Sequence, residues 1–204
     1  KQFSANDLLA EMIHPINQHR ILFYSVDESE QKILERSQIS GAISNELDNQ
    51  YRLIIQNTSG NKMDFYLKRE LKLETLSCGA KPQTKVTFIL TNVASKSVKL
   101  PAYVAGRLDL NKPAGFANSY GTRAIILAPV NTRVISTIES ATNNKFGFLV
   151  KERGHTGVGV QVDLAAGQSQ EFSMIFSGGK GALTTHIQPL VIDQNTTIID
   201  RCTK

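Results

Sequence analysis

From about Asp48 onward, apolar and polar residues alternate along the chain in short runs that are separated by turn signals. The longest run lies in SGNKMDFYLKRELKLETLSC, residues 59–78, where one set of alternate positions is apolar: Met63, Phe65, Leu67, Leu71 and Leu73. This period of two predicts a strand with one face on a core and the other in water. Arg69 interrupts the apolar row, and we expect a bulge or a crossing between sheets near it.

The same pattern recurs in shorter segments. TKVTFILTN, residues 84–92, places Val86, Phe88 and Leu90 on one face. Further strands are predicted at residues 51–56, 98–104, 123–127, 133–139, 146–151, 157–164, 171–176 and 187–192. Short strands at this spacing, separated by Asn, Gly and Pro signals, predict a mainly β fold, an antiparallel immunoglobulin-like β-sandwich.

The first part of the chain follows a different pattern. Residues 5–13 show the apolar spacing of a helix, and we expect His14 and Pro15 to end it. Residues 21–24 form a short apolar run that is typical of a buried strand. A second helix follows, which Ser25 or Asp27 can cap at its start.

These patterns divide the chain into two parts. Residues 1–47 are predicted to form a helix–strand–helix segment, too small to build its own core. This segment either packs on the following domain or is the tail of a larger α/β domain. Residues 48–204 are predicted to form the β-sandwich domain.

Composition narrows the class of protein. The 204 residues include 41% hydrophobic and 20% charged residues, as in a globular domain, and the net charge is +5. Lys and Arg are scattered rather than clustered, so we expect no nucleic-acid partner. Residue 1 is Lys rather than Met, and we expect the chain to be part of a longer protein whose export signal or anchor lies upstream.

Cys78 and Cys202 are the two cysteines of the chain, and they leave two alternatives open. One is a pair of buried free thiols in a cytosolic protein; the other is one disulfide in an exported protein. A cysteine near the end of the chain is a poor candidate for a core position, which favours the disulfide.

The sequence gives little evidence of catalytic or cofactor-binding motifs. None of the histidines, His14, His19, His155 and His186, has a second ligand at metal-binding spacing, and we expect no cofactor or metal. The sequence SGGKGALTTH, residues 177–186, has glycines and a lysine but lacks the phosphate-loop pattern. It is one of two candidate functional loops; the other is RLDLNKPAGFANSYG, residues 107–121.

Four stretches resemble a known family: NTSGNKMDFYLKREL, VTFILTNVA, LPAYVAG and YGTRAIILAPVNTRV. Together with HRILFYSVDESEQKILERSQISGAI they resemble the C-terminal part of a domain-of-unknown-function family of membrane-anchored, extracytoplasmic proteins in Gram-positive, mostly actinobacterial, organisms. The resemblance runs from about His19 to Arg133. It implies a cell-surface protein tethered by an N-terminal transmembrane helix outside this chain. The family has no agreed activity, so no catalytic residue carries over.

The resemblance also gives a role to the distinctive motif of the long predicted strand. Asn61, Lys62 and Asp64 are expected to tie a turn to its neighbours, with Tyr66 bridging to an adjacent segment. This role is structural.

Two functions from different classes remain. The first is a non-catalytic cell-envelope module that binds a glycopolymer or an envelope protein. Its candidate binding loop presents aromatic and basic side chains: Arg107, Lys112, Phe116, Tyr120 and Arg123. The second is part of an enzyme acting on envelope polysaccharide, because paired carboxylates are assembled in space and leave no motif.

Overall fold

The computed structural model of the chain describes residues 4–37, 39–40, 50–111, 118–139 and 147–202. The chain divides into two compact units, Lys1–Glu46 and Leu47–Lys204, and each is described by itself. That the first unit is the tail of a larger domain stays a prediction.

The first unit contains two helices, α1 (Ala5–Asn17) and α2 (Glu28–Glu35). The expected end of α1 at Pro15 is wrong, because the helix continues to Asn17 and ends before His19, which has a φ of 55°. Asp27 caps α2 as predicted, since its side chain accepts hydrogen bonds from the main-chain N–H groups at the start of the helix.

The strand predicted at residues 21–24 is wrong: the structure shows no strand there, and within the described part of the chain the Phe23 N–H donates one main-chain hydrogen bond, to the Ile39 oxygen. A single bond of this kind does not build a ladder. Among the described residues, no helix has the length and apolar character needed to cross a membrane.

The second unit is a β-sandwich, as predicted. Its described strands are β1 (Gln50–Asn57), β2 (Leu67–Ser77), β3 (Gln83–Asn92), β4 (Tyr120–Val130), β5 (Arg133–Glu139), β6 (Phe148–Glu152), β7 (His155–Leu164), β8 (Ser169–Ser177), β9 (Thr184–Ile187) and β10 (Asn195–Ile199). The first sheet has the order β6-β7-β4-β1-β9 and the second β10-β2-β3-β8-β5. Most neighbours are antiparallel, but the edge strands β9 and β10 pair in parallel with β1 and β2.

The core lies between the inner faces of the two sheets. Strand β3 alternates strictly, and its predicted inward residues Val86, Phe88 and Leu90 are fully buried. Leu53 and Ile126 of the first sheet join the same apolar cluster. Burial of alternate positions on both sheets is the packing that the period of two predicts.

The long strand begins later than predicted. Met63–Tyr66 forms a 3-10 turn, and β2 starts at Leu67. A 3-10 turn has a period of three, so positions two apart no longer share a face. Met63 is buried as predicted, whereas Phe65 is 56% exposed and does not belong to the core.

Arg69 does not cause a bulge. The pairing of β2 with β3 passes through Arg69 without a shift, and the irregularity lies between Thr75 and Ser77. The Arg69 side chain is fully buried. Its Nη1 and Nη2 donate to the main-chain oxygens of Gln188 and Ile192, at 2.9 and 3.1 Å. The guanidinium therefore stays on the inner face because carbonyl groups solvate it there.

The strand predicted at residues 187–192 is wrong. The segment after β9 instead crosses from the first sheet to the second. The Gln188 side chain accepts from the Ile55 N–H at 2.7 Å and donates to the Ile55 oxygen at 3.1 Å. This amide takes the place of a strand partner for β1. The chain then reaches β10, which the sequence did not predict.

Residues 98–104 are not a strand either. The structure has helix α3 (Ala102–Ala105) there, after Pro101. Proline lacks the N–H that a strand ladder needs, and it suits the position before a helical turn.

The disulfide prediction is confirmed: Cys78 and Cys202 are bonded, with their Cα atoms 5.6 Å apart. Cys78 follows β2 and Cys202 follows β10, so the bond fastens this parallel edge pair at one end.

We expect Leu71→Asp to unfold the sandwich and Phe65→Asp to cost about 1 kcal/mol or less. Leu71 is 2% exposed, so the substitution buries an unpaired charge, whereas Phe65 projects into solvent. Chemical denaturation of both variants checks this, and equal losses would contradict the assigned start of β2.

Replacing both cysteines by serine should lower the free energy of unfolding by about 2 to 5 kcal/mol. The bond spans 124 positions, and its loss frees a long loop in the unfolded chain. Denaturation of oxidised parent and Cys78→Ser/Cys202→Ser protein measures the difference. The same stability in both would show that the bond does not constrain the chain.

Candidate functional site

A polar cluster lies where β1 ends and β4 begins. The Asp64 carboxylate accepts from the Tyr120 hydroxyl at 2.6 Å and from the Asn57 side-chain amide at 2.5 Å. Asn61 is buried; its side chain accepts from the Met63 N–H and donates to a main-chain oxygen of the neighbouring segment. These contacts hold the turn after β1 against the start of β4. Burial, together with the hydrogen bond to Asp64, raises the pKa of Tyr120, so its phenol remains a donor.

The other two residues of the predicted structural motif act through the main chain. The Lys62 side chain is exposed, and its N–H donates to the Val104 oxygen at 2.9 Å. The Tyr66 carbonyl accepts from the Val93 N–H at 2.9 Å, and its ring packs edge-on against Phe65.

Arg107 forms a second cluster, with almost no exposed surface. Its guanidinium donates to both carboxylate oxygens of Asp109, at 2.8 and 2.6 Å, to Asp163 at 2.6 Å and to the Ser119 hydroxyl at 3.1 Å. The hydrogen bonds with Asp109 raise the pKa of Arg107 and lower the pKa of Asp109. The cation is therefore committed to partners within the chain.

Gly121 makes room for this cluster. A Cβ there would lie 2.6 Å from Arg107 Nη2 and 3.0 Å from the Ser59 hydroxyl oxygen. The Ser59 hydroxyl in turn donates to the Gly121 oxygen and accepts from its N–H. A side chain at this position would displace the guanidinium from its carboxylates.

The residues of the predicted binding loop separate in the structure. Lys112 and Phe116 lie outside the described residues. Arg107 and Tyr120 are buried and bound to carboxylates, so neither side chain is free to meet a ligand. Arg123 is exposed, on β4. Burial and pairing depend on residues far along the chain, which the local pattern did not show.

Arg123 belongs to a row of polar side chains on the outer face of the first sheet. It lies opposite Gln56 of β1 and opposite Gln161 of β7, and all three are exposed. Directly paired strand residues point to the same side of a sheet, about 5 Å apart. The Gln161 amide donates to the Thr58 hydroxyl at 2.9 Å.

An aromatic ring borders this row. Phe148 of β6, 44% exposed, lies opposite Gly159, and a Cβ on that glycine would lie 2.4 Å from the ring. The Arg123 guanidinium carbon lies over the same ring, 5.5 Å from its centre. We name Gln56, Arg123, Phe148 and Gln161 the platform. Of these residues only Arg123 was predicted from the sequence, because the other members are distant in the chain and meet through strand register.

The glycine-rich segment predicted as a second functional loop lines a cleft of about 290 Å³ beside the disulfide. Gly178, Lys180, Pro82 and Cys202 are among the residues that line the cleft. Asp200, also in the lining, accepts from the Thr75 hydroxyl and from the N–H groups of Cys202 and Leu183. Its carboxylate therefore holds the cleft walls together.

The described part of the chain gives little support for a catalytic site that uses a metal ion or acid–base chemistry. No group of three or more His, Cys, Asp or Glu residues there could hold a metal ion. Asp109 and Asp163 converge, but both bind the same nitrogen of Arg107 at 2.6 Å. A general acid needs a raised pKa, and Arg107 lowers that of Asp109.

Comparison with known proteins yields no relative: no family model, no curated protein and no solved structure matches the chain.

The Arg107–Asp109 ion pair should make stability depend on pH below about 4. Because the folded pKa of Asp109 is lowered, the pair contributes fully above the ordinary value of 3.8 and is lost as the pH falls through the folded pKa. The gap in melting temperature between parent and Asp109→Asn should therefore narrow from about pH 7 to about pH 3. A constant gap would show that the charge of Asp109 does not matter.

Proposed function

We propose that the protein is a non-catalytic, extracytoplasmic module that binds envelope glycopolymer through the platform. The platform is the observation that carries this proposal. Two amides and a guanidinium stand in register across β1, β4 and β7, with an exposed ring beside them. Planar polar groups on neighbouring strands match the repeated hydroxyl groups of a sugar chain, and an aromatic edge suits its apolar ring faces.

The rigidity of the scaffold also supports a binding role. The platform lies next to the Arg107 cluster, because Gly121 and Asp163 form the pair two positions along β4 and β7 from Arg123 and Gln161. This neighbouring cluster holds both strands in place. A surface fixed before it meets its ligand loses less conformational entropy on binding.

The disulfide is compatible with an oxidising compartment outside the cytoplasm. The tether to the membrane and the Gram-positive surface rest on the family resemblance alone, and we retain them as part of the proposal. The alternative of an enzyme acting on envelope polysaccharide has less support, because the converging carboxylates Asp109 and Asp163 both form ion pairs with Arg107.

Retention of the full chain on immobilised envelope polysaccharide tests the proposal. We expect the parent to be retained and the Gln56→Ala/Gln161→Ala variant to bind at least about tenfold more weakly, since each amide contributes hydrogen bonds of about 1 kcal/mol. The matched control is Thr87→Ala/Thr91→Ala on the outer face of the second sheet, expected to bind like the parent.

Two outcomes would contradict this function. No retention of the parent would remove glycopolymer as the ligand, and equal retention of the platform variant would remove the platform as the site. Retention that disappears when the envelope sample is treated with protease would instead identify a protein partner.

A further inference from the structure

We propose that Arg123 is an oxyanion subsite, so that the polymer bound by the platform carries carboxylate or phosphate groups. This inference rests on the proposed function and names the chemical class of its ligand. Its starting point is that the charge of Arg123 is unused within the described part of the chain. No carboxylate there forms an ion pair with it, whereas Arg107 binds two carboxylates and Arg201 binds one.

An exposed acid on the same face, Asp163, forms no ion pair with Arg123. Asp163 follows Gln161 by two positions on β7, and its side chain is 61% exposed. One of its oxygens is held by Arg107 at 2.6 Å. The buried cation thus draws this carboxylate toward itself and leaves the positive charge of Arg123 available to a ligand.

A stack of three residues positions the guanidinium. Gly159 has no side chain, so the Phe148 ring lies close to the backbone of β7. Arg123 lies over that ring. Contact with a ring uses one face of the guanidinium, while its N–H groups lie in the guanidinium plane and remain able to donate. A guanidinium held in this way can offer two parallel hydrogen bonds to a carboxylate or a phosphate.

The flanking amides complete the subsite. Gln56 and Gln161 stand on either side of Arg123 along the row, and each carries both a donor and an acceptor. They suit the hydroxyl groups next to an acidic substituent on a sugar chain. A neutral polymer would use the amides and leave the cation without a partner.

The test measures binding of the folded full chain to three soluble polymers: polygalacturonate, poly(glycerol phosphate) and neutral dextran. We expect the parent to bind at least one anionic polymer at least about tenfold more tightly than dextran, since a charged hydrogen bond contributes more than a neutral one. Preference between the two anionic polymers identifies carboxylate or phosphate as the group recognised.

Variants of Arg123 separate charge from shape. Arg123→Gln should remove the preference for the anionic polymer, and Arg123→Lys should keep part of it, because lysine retains the charge but loses the paired donors. Lys72→Ala, which removes an exposed cation from the outer face of the second sheet, is the matched control and should bind like the parent.

The outcomes distinguish the two proposals. Equal binding of dextran and the anionic polymers, unchanged by Arg123→Gln, would overturn the oxyanion subsite and leave glycopolymer binding intact. Loss of anion binding in Lys72→Ala as large as in Arg123→Gln would show a diffuse effect of net charge and also overturn the subsite. No binding of any polymer by the parent, together with no retention on envelope polysaccharide, would overturn both.

Discussion

The sandwich depends on how a charged group is accommodated between its sheets. Arg69 stands in the apolar row of β2, and its guanidinium is fully buried. Burial lowers the pKa of Arg69, and the nearby charge of Asp193 opposes that effect. The carbonyl groups of Gln188 and Ile192 replace the water that the cation loses. Since Gln188 also pairs with Ile55 of the opposite sheet, one side chain of the second sheet fixes a segment that is bonded to the first.

Arg107 shows the other way in which this protein holds a buried cation. Arg69 is met by neutral oxygens, whereas Arg107 is met by two carboxylates and a hydroxyl. Removing a partner from either arrangement would leave charge without solvation, which is costly inside a protein. Both arginines therefore serve the fold. Arg123 differs from them because it is exposed and, among the described residues, has neither the carboxylates that hold Arg107 nor the carbonyl acceptors that hold Arg69.

Much of the fold could be predicted because the alternation of apolar and polar residues along a strand is visible in the local sequence. Val86, Phe88 and Leu90 were placed correctly on the inner face, and Cys78 was paired correctly with Cys202. The errors arose where distant residues decide. The residues near Phe65 give no sign that the chain forms a 3-10 helix there. The residues near Arg69 give no sign that its guanidinium will donate to carbonyl groups more than a hundred positions away.

The candidate site was predicted less well than the fold, for the same reason. Tyr120 was predicted to bind through its aromatic ring and Arg107 through its charge, but both side chains are buried and cannot reach a ligand. Gln56, Phe148 and Gln161 carry no motif, and they become a surface only when β1, β4, β6 and β7 align. Register, more than residue type, determines what meets solvent together.

The position of the Arg69 acceptors has a consequence for biosynthesis. The links from Arg69 of β2 to Gln188 and Ile192 span 119 and 123 positions, and the link from Cys78, just after β2, to Cys202 spans 124. During synthesis, β2 therefore emerges long before the groups that satisfy its buried cation. Contacts that close so long a loop form slowly. The segment from Gln188 to Cys202 therefore has to be present before the acceptors of Arg69 and the partner of Cys78 are in place.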